Sequence, residues 1–203
     1  MSAPFVDVYW DTGSTNTYFA FKLLAPILAK YGASLRLHPF NLGHVFRHHN
    51  YVLMEEPATK ISNRIRDLER WALKHDLPFR VPDTFPIKTS RALRGSLAMR
   101  HWQLEHEYVE AVMSAYWEKN DASIADYAGL RPIAARLGVD PDAFEARSES
   151  EAVRQALIDS TDQGLARGVF GVPSMVVGKE LFWGKDRMDF VADELQRLTS
   201  RAA

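Results

Sequence analysis

GVFGVPSMVVGKELFWGKDR, residues 168–187, is the stretch whose reading decides the fold. It holds two short β-type runs, Ser174–Val177 and Glu180–Trp183, joined only by Gly178-Lys179. A two-residue connection with glycine in the first place suits the backbone twist of a β-hairpin. Val172-Pro173 leads the first run, and Gly184-Lys185-Asp186 after the second reads as a helix entrance. Proline cannot donate to a sheet ladder, so its place is a strand's first residue or a turn. The backbone donor and acceptor of Val172 are then left to bind something else. On this segment alone, an ordinary loop-to-strand proline accounts for the pattern.

Outward from the hairpin, a final helix from Asp186 to about Leu198 carries Met188, Val191, Leu195 and Leu198 in register. At the other end of the chain, residues 5–10 (FVDVYW) read as a strand and residues 11–16 (DTGSTN) as a polar loop rich in N-cap residues. A helix follows, with Tyr18, Phe21, Leu24, Ala25 and Leu28 on one side, a kink expected at Pro26 and a stop at Gly32. Residues 35–40 read as a second strand, completing a β-α-β unit. The middle reads as a helical block without convincing strands. Ile61, Ile65, Leu68 and Ala72 share a face, and helical patterning runs on from residue 90 to 118. Further helices are expected within 125–137, after Asp140-Pro141, and over 149–167. The order predicts an α/β domain formed by residues 1–40 and 168–203, with an all-helical insertion over 41–167.

Composition narrows the function. The chain has 203 residues, 46% apolar and 25% charged, which suits a globular protein with a sizeable core. Its formal net charge of −1 gives no overall basic character for nucleic acid or an anionic membrane surface. The longest apolar stretch, 19–29, is interrupted by Lys22 and Pro26, and residues 1–4 lack the parts of a secretory leader. A cytoplasmic location is the expectation. There is no cysteine, which excludes disulfides, thiolate metal sites and a catalytic thiol of the chain's own. His44, His48 and His49 have ligand-like spacing without a fixed acidic partner, a poor basis for a metal site. No glycine loop for phosphate and no nucleophile elbow is present.

The β-α-β start, the Val-Pro-led hairpin and the terminal helix resemble the thioredoxin fold. With its helical insertion the chain is similar to the branch holding DsbA-type oxidoreductases, kappa-class glutathione transferases and 2-hydroxychromene-2-carboxylate isomerases. The last family is matched best. Its Asp-x-x-Ser-Pro is Asp11-Thr12-Gly13-Ser14-Thr15 here, followed by Tyr18 and Ala20. Its Gly-Val-x-Gly-Val-Pro is residues 168–173, and its Phe-Trp-Gly-x-Asp-Arg is residues 182–187. Lys60, Asp67 and Arg70-Trp71-Ala72 match positions between. Thr15 stands where the family has proline and Asn63 where it has tyrosine, and Asn50 matches the family's binding asparagine if one residue is inserted before Lys60.

The resemblance implies that the thiol is borrowed from glutathione. An ordinary thiol, with pKa ~8.5, is a few per cent ionised at neutral pH. Ser14 at the entrance to the first helix would hydrogen-bond the thiolate while the helix terminus stabilises its charge. Lowering the pKa by ~2 units needs about 3 kcal/mol. By spacing alone Ser14 is a helix cap. Val172, before what the family implies is a cis Pro173, would pair with the tripeptide backbone as an added strand. Lys185 and Asp186 would receive its γ-glutamyl end, and Asn50 and Lys60 would clamp a carboxylate. Trp10, Tyr18 and Trp183 are candidate walls for an aromatic acid, and Arg187 is a structural ion-pair residue. The mixed charges of Arg64, Arg66, Asp67, Glu69 and Arg70 read as a solvated helix face. The activity implied is a glutathione-dependent cis–trans isomerisation of an aryl-pyruvate-type acid, by a homodimer. A kappa-like transferase and a cysteine-free binding module are the other readings.

Overall fold

The computed structural model describes residues 3–51 and 56–200. Met1 and Ser2 of the leader reading and the side chain of His48 lie outside that description. Four strands form one sheet: β1 (Phe5–Trp10), β2 (Ser34–Pro39), β3 (Ser174–Val177) and β4 (Glu180–Trp183). They stand in the order β2-β1-β3-β4, with β1 and β2 parallel and the other two pairings antiparallel. Trp10 pairs with Pro39, and Val6 with Val177. The sheet is therefore built from the two ends of the chain. The expected hairpin is present, with Gly178 at φ 60° in its turn, a backbone region open to glycine at little steric cost.

Alternation along β1 sorts the two faces. Val6, Val8 and Trp10 enter the main apolar cluster, while Tyr9 joins Phe40, Val45, Val169, Val172 and Val176 on the other face. Asp7 also points to that second face, where burial would push its carboxyl pKa up. Arg36 at 2.7 and 2.9 Å and His38 at 2.8 Å outweigh this and bring it below its ordinary value.

Between β1 and β2, α1 (Thr15–Tyr31) runs through Pro26 and ends at Gly32, whose left-handed φ of 57° closes it. The helices that follow are α2 (Leu42–His48), α3 (Ala58–Lys74), α4 (Ser90–Met99), α5 (Glu105–Trp117), α6 (Tyr127–Arg136), α7 (Pro141–Ser148) and α8 (Glu151–Ala166). After β4 a 3₁₀ turn, Lys185–Arg187, leads into α9 (Met188–Ser200). One apolar cluster extends from Val8 in the sheet to Tyr108, Ile133 and Phe144 among the central helices.

Three details depart from the sequence reading. The stretch 90–118 is two helices, because Gln103 adopts a left-handed φ of 59° and Leu104 N–H caps the carbonyl of Met99. The apolar pattern is blind to that reversal, since both helices bury their apolar faces in the same cluster. Helix α2 was not expected; Asn41 starts it by accepting from His44 N–H at 3.1 Å. The entrance to α9 is a 3₁₀ turn after Gly184 at φ 106°, so Asp186 precedes the α-helix instead of opening it.

Candidate functional site

The loop between β1 and α1 is fixed from several sides. Asp11 is buried, and its two carboxylate oxygens accept from Gly13 N–H at 2.9 Å and Leu42 N–H at 3.0 Å. Burial raises its pKa above the ordinary carboxylate value despite these bonds and one from Thr89. The adjoining Thr12 carbonyl accepts from Trp117 Nε1 at 2.9 Å. Ser14 then caps α1, accepting from Thr17 N–H at 3.3 Å. No acidic residue occupies the first turn of α1, so the positive end of its dipole faces the loop unneutralised.

Opposite Ser14 stands the segment before β3. The Val172-Pro173 peptide bond is cis, and Ser14 Oγ donates to the carbonyl of Val172 at 3.3 Å. Val172 N–H takes no hydrogen-bond partner among the described residues. Pro173 is tied in place through its carbonyl, which accepts from Gly184 N–H at 2.9 Å. Ser14, Val172 and Gly171 all border one cavity of about 750 Å³. Its other walls come from α1, α2, α3 and α5 and from the loop before α4, and are largely aromatic or aliphatic: Phe46, Ile65, Leu68, Phe85, Trp117, Phe170 and Trp183. Such a lining, with a few polar groups converging at one end, is the usual form of a small-molecule site.

The remaining expected site residues are distributed more widely. Trp183 is a wall of the cavity, packed 5.2 Å from Phe170. Trp10 is wholly buried in the main core, 5.8 Å from Phe21, and Tyr18 lines a separate pocket of about 370 Å³. Both rings were candidate walls, and the register of β1 and the winding of α1 turn them into the core instead. Tyr18 donates to Glu118 at 3.1 Å, and burial together with that carboxylate raises its pKa. Asn50, at a left-handed φ of 51°, and Lys60 do not border the cavity. Lys60 is exposed and pairs with Glu56 at 2.7 Å.

Lys185 and Asp186 follow the cavity wall at Trp183 without lining it. Lys185 is half-buried, with Nζ 4.4 Å from the centre of the Trp71 ring, and burial lowers its pKa against the pull of Asp67 and Asp186. Trp71, matched in the sequence only as a pattern, thus has a physical role: its ring holds Lys185 between α3 and the turn before α9, with the charge of Asp67 favouring the ammonium there. Arg187 pairs with Asp186 at 2.6 Å, the ion-pair role expected of it.

Two residues were missed. Trp117 stood out only as one of a series of helical core positions, yet its indole N–H fixes the Thr12 carbonyl and its ring lines the cavity. Arg64 was read as part of a solvated face but borders the cavity, paired with Glu56 at 2.6 Å. Its position on the same face as Ile61, Ile65 and Leu68, at i, i+3, i+4 and i+7 spacing, was the available signal.

A sheet of this order, a cis proline leading β3 and a helix N-terminus facing that proline define a thioredoxin-fold protein, here with serine and no cysteine at the facing position. The chain belongs to the DsbA-like thioredoxin domain family, whose family model matches residues 5–196. It is 29% identical over 194 residues to a 2-hydroxychromene-2-carboxylate isomerase of Pseudomonas sp. (strain C18), covering 90% of this chain and 86% of the relative. It is 26% identical over 210 residues to glutathione S-transferase kappa 2 of Caenorhabditis elegans, covering 94% and 91%. A solved structure of a 2-hydroxychromene-2-carboxylate isomerase superposes with a TM-score of 0.85 at 28% identity, covering 98% of this chain and 97% of that one.

Proposed function

We propose that the protein is a glutathione-dependent cis–trans isomerase of 2-hydroxychromene-2-carboxylate or a related aryl-pyruvate-type acid, serving the breakdown of aromatic compounds. The observation that carries this reading is the Ser14 hydroxyl, poised between the α1 terminus and the Val172 carbonyl at 3.3 Å on the wall of the cavity. The similarity to named isomerases supports the reaction, and the similarity to a kappa-class glutathione transferase supports the cofactor.

The residues present fit glutathione. Val172 is a buried residue at the cavity wall; among the described residues its N–H has no partner and its carbonyl is held by the Ser14 hydroxyl alone, the backbone pair that an extended peptide requires. Val172 and Pro173 would hold its cysteinyl part, Lys185 and Asp186 its γ-glutamyl end, and Ser14 its sulfur. When bound, glutathione supplies a thiolate that adds to a conjugated double bond and leaves after rotation about the resulting single bond.

The chain's own part is to make that thiolate available and to exclude water. With glutathione in place, Ser14 Oγ would turn its proton from the Val172 carbonyl to the sulfur, and that carbonyl would be free to accept from the peptide N–H. The α1 terminus favours the negative charge, and Asp11 and Trp117 keep the loop from shifting as the charge appears. The aromatic walls receive the aryl group and shield the reacting atoms.

The test is ultraviolet monitoring of hydroxychromene carboxylate with and without glutathione, followed by product analysis. Isomer formed only when glutathione is present, with the tripeptide recovered unchanged, is the expected result. A stable adduct accumulating in place of isomer assigns the kappa-like transferase reaction and overturns the isomerase.

A further inference from the structure

We propose that Asn16 binds the ring oxygen ortho to the reacting side chain of the aryl substrate, and so selects hydroxyaryl acids over plain aryl acids. This rests on the isomerase reading above and deepens it by naming a specificity contact.

Asn16 is the second residue of α1 and borders the cavity together with Ser14 and Thr15. A helix rises about 1.5 Å per residue, so Asn16 stands only about 3 Å further along the axis than the capping serine. It is half-buried, and its carboxamide has no hydrogen-bond partner among the described residues. Other polar groups on the same wall are committed. Ser14 Oγ serves the Val172 carbonyl and Thr17 N–H, and Trp117 Nε1 serves the Thr12 carbonyl. Asp83 accepts from Arg80 at 3.1 Å and from Asn120 Nδ2 at 2.6 Å, and neither His49 nor Arg64 is free. The hydroxyls of Thr15 and Tyr51 are also without a partner among the described residues. Thr15 carries its oxygen on a shorter stem than the carboxamide, and Tyr51 is 48% exposed.

The position decides which substrate atom Asn16 meets. In an o-hydroxybenzylidenepyruvate the alkene carbon that takes the thiolate is the one bonded to the ring, β to the keto group. The ring oxygen sits on the adjacent ring carbon, close beside the sulfur, whereas the carboxylate lies at the far end of the side chain. A side chain next to Ser14 therefore meets the ring oxygen.

A carboxamide suits both forms of that oxygen. In the closed chromene it is an ether oxygen, which only accepts. Ring opening breaks its bond to C2, the C2 hydroxyl becomes the keto group, and the hydroxyl proton ends on the freed oxygen as a phenol. The phenol donates. Asparagine offers an N–H to the first form and a carbonyl oxygen to the second from one planar group. An ionised carboxylate in its place would accept only, and would lose its partner in the closed form.

The experiment compares trans-2-hydroxycinnamate with cinnamate, two stable aryl acids that differ only in the ring hydroxyl. Calorimetry is done in the presence of S-methylglutathione, whose sulfur cannot add to them. Wild type should bind the hydroxy acid roughly 3- to 10-fold more tightly, the scale of one neutral hydrogen bond. Asn16→Leu, close to asparagine in volume, should bind the two acids equally, with cinnamate affinity within about twofold of wild type. Thr15→Val and Tyr51→Phe should keep the preference. No preference in wild type overturns the inference, as does a preference that survives in Asn16→Leu. Loss of the preference in Thr15→Val or Tyr51→Phe alone also overturns it, by assigning the ring oxygen to that hydroxyl. Failure of the isomerase reading is a different result: wild type that binds no glutathione and isomerises nothing.

Discussion

Ser14 Oγ and the carbonyl of Val172 lie 3.3 Å apart across 158 residues of chain, joined by a hydrogen bond that closes the base of the cavity. The bond links the two halves of the sheet domain where the helix terminus meets the proline-led strand. The hydroxyl is also an acceptor, from Thr17 N–H at 3.3 Å. It can therefore redirect its proton to a ligand without ceasing to cap the helix.

Ser14→Ala separates these two duties. Loss of the cap should cost about 1 kcal/mol in a denaturant titration, which leaves the protein folded. Loss of the donor should return bound glutathione toward an ordinary thiol pKa, and a shift of ~2 units cuts the thiolate fraction at neutral pH roughly 25-fold. Thiolate absorbance of the glutathione complex against pH reads this directly. An unchanged titration curve would reject the role of Ser14 in activating sulfur.

Trp117→Phe tests the support beneath Ser14. A smaller aromatic ring remains at the site, and the fully buried Thr12 carbonyl loses the donor now 2.9 Å away. A buried acceptor without a partner costs about 1–3 kcal/mol. Chemical denaturation should show that loss, and turnover should fall with glutathione affinity nearly intact, because the loop no longer holds Ser14 in one position. Wild-type stability in the variant would mean that the bond contributes nothing.

The parts of this arrangement that were legible in the sequence are those encoded locally. Gly178-Lys179 between two β-type runs specifies a hairpin, and Asp140-Pro141 specifies a helix start, whatever the rest of the chain does. Ser14 and Val172 were legible as motif residues, while their contact is a property of the closed sheet. The walls were not legible, because an aromatic at helical spacing reads alike whether its face meets the core or a cavity. Tyr18 and Trp117 illustrate this: both are buried at helical spacing, and only tertiary packing sends one to a separate pocket and the other to the Ser14 cavity. Arg64 escaped for a related reason. Its charge blends with those of Arg66, Asp67, Glu69 and Arg70 along α3, although its spacing puts it on the face of Ile61, Ile65 and Leu68.

Asp7 gives the fold a predictable acid sensitivity. Burial raises its pKa, but hydrogen bonds from Arg36 and His38 and the charges of both leave the net value below the ordinary 3.8; Arg167 stands 3.4 Å away on the same carboxylate. A depressed carboxyl stabilises the fold at pH above its unfolded value, and that contribution is lost as pH falls through the folded value. Asp7→Asn should therefore be less stable than wild type by about 1–2 kcal/mol at neutral pH, allowing for the exposure of Arg36. The difference should shrink as the pH is taken below about 4. Urea titrations of both proteins across this range check it, and a gap that widens in acid would contradict the assignment.

Gly171→Ala probes the cavity from its wall. A Cβ on Gly171 would fall 2.9 Å from Trp183 Nε1, closer than a real contact permits. Gly171 has no positive φ, so alanine fits its backbone, and Trp183, being 49% exposed, has solvent to move into. The fold should accordingly keep its stability to within about 0.5 kcal/mol. The indole must shift, and with it the wall that faces Ser14 and Phe170. Tryptophan emission should change, and glutathione affinity by calorimetry should weaken severalfold, because Val172 directly follows the altered residue. If emission moves while affinity stays, Trp183 is a wall for the aryl group alone. If neither changes, the contact between Gly171 and Trp183 has no part in shaping the site.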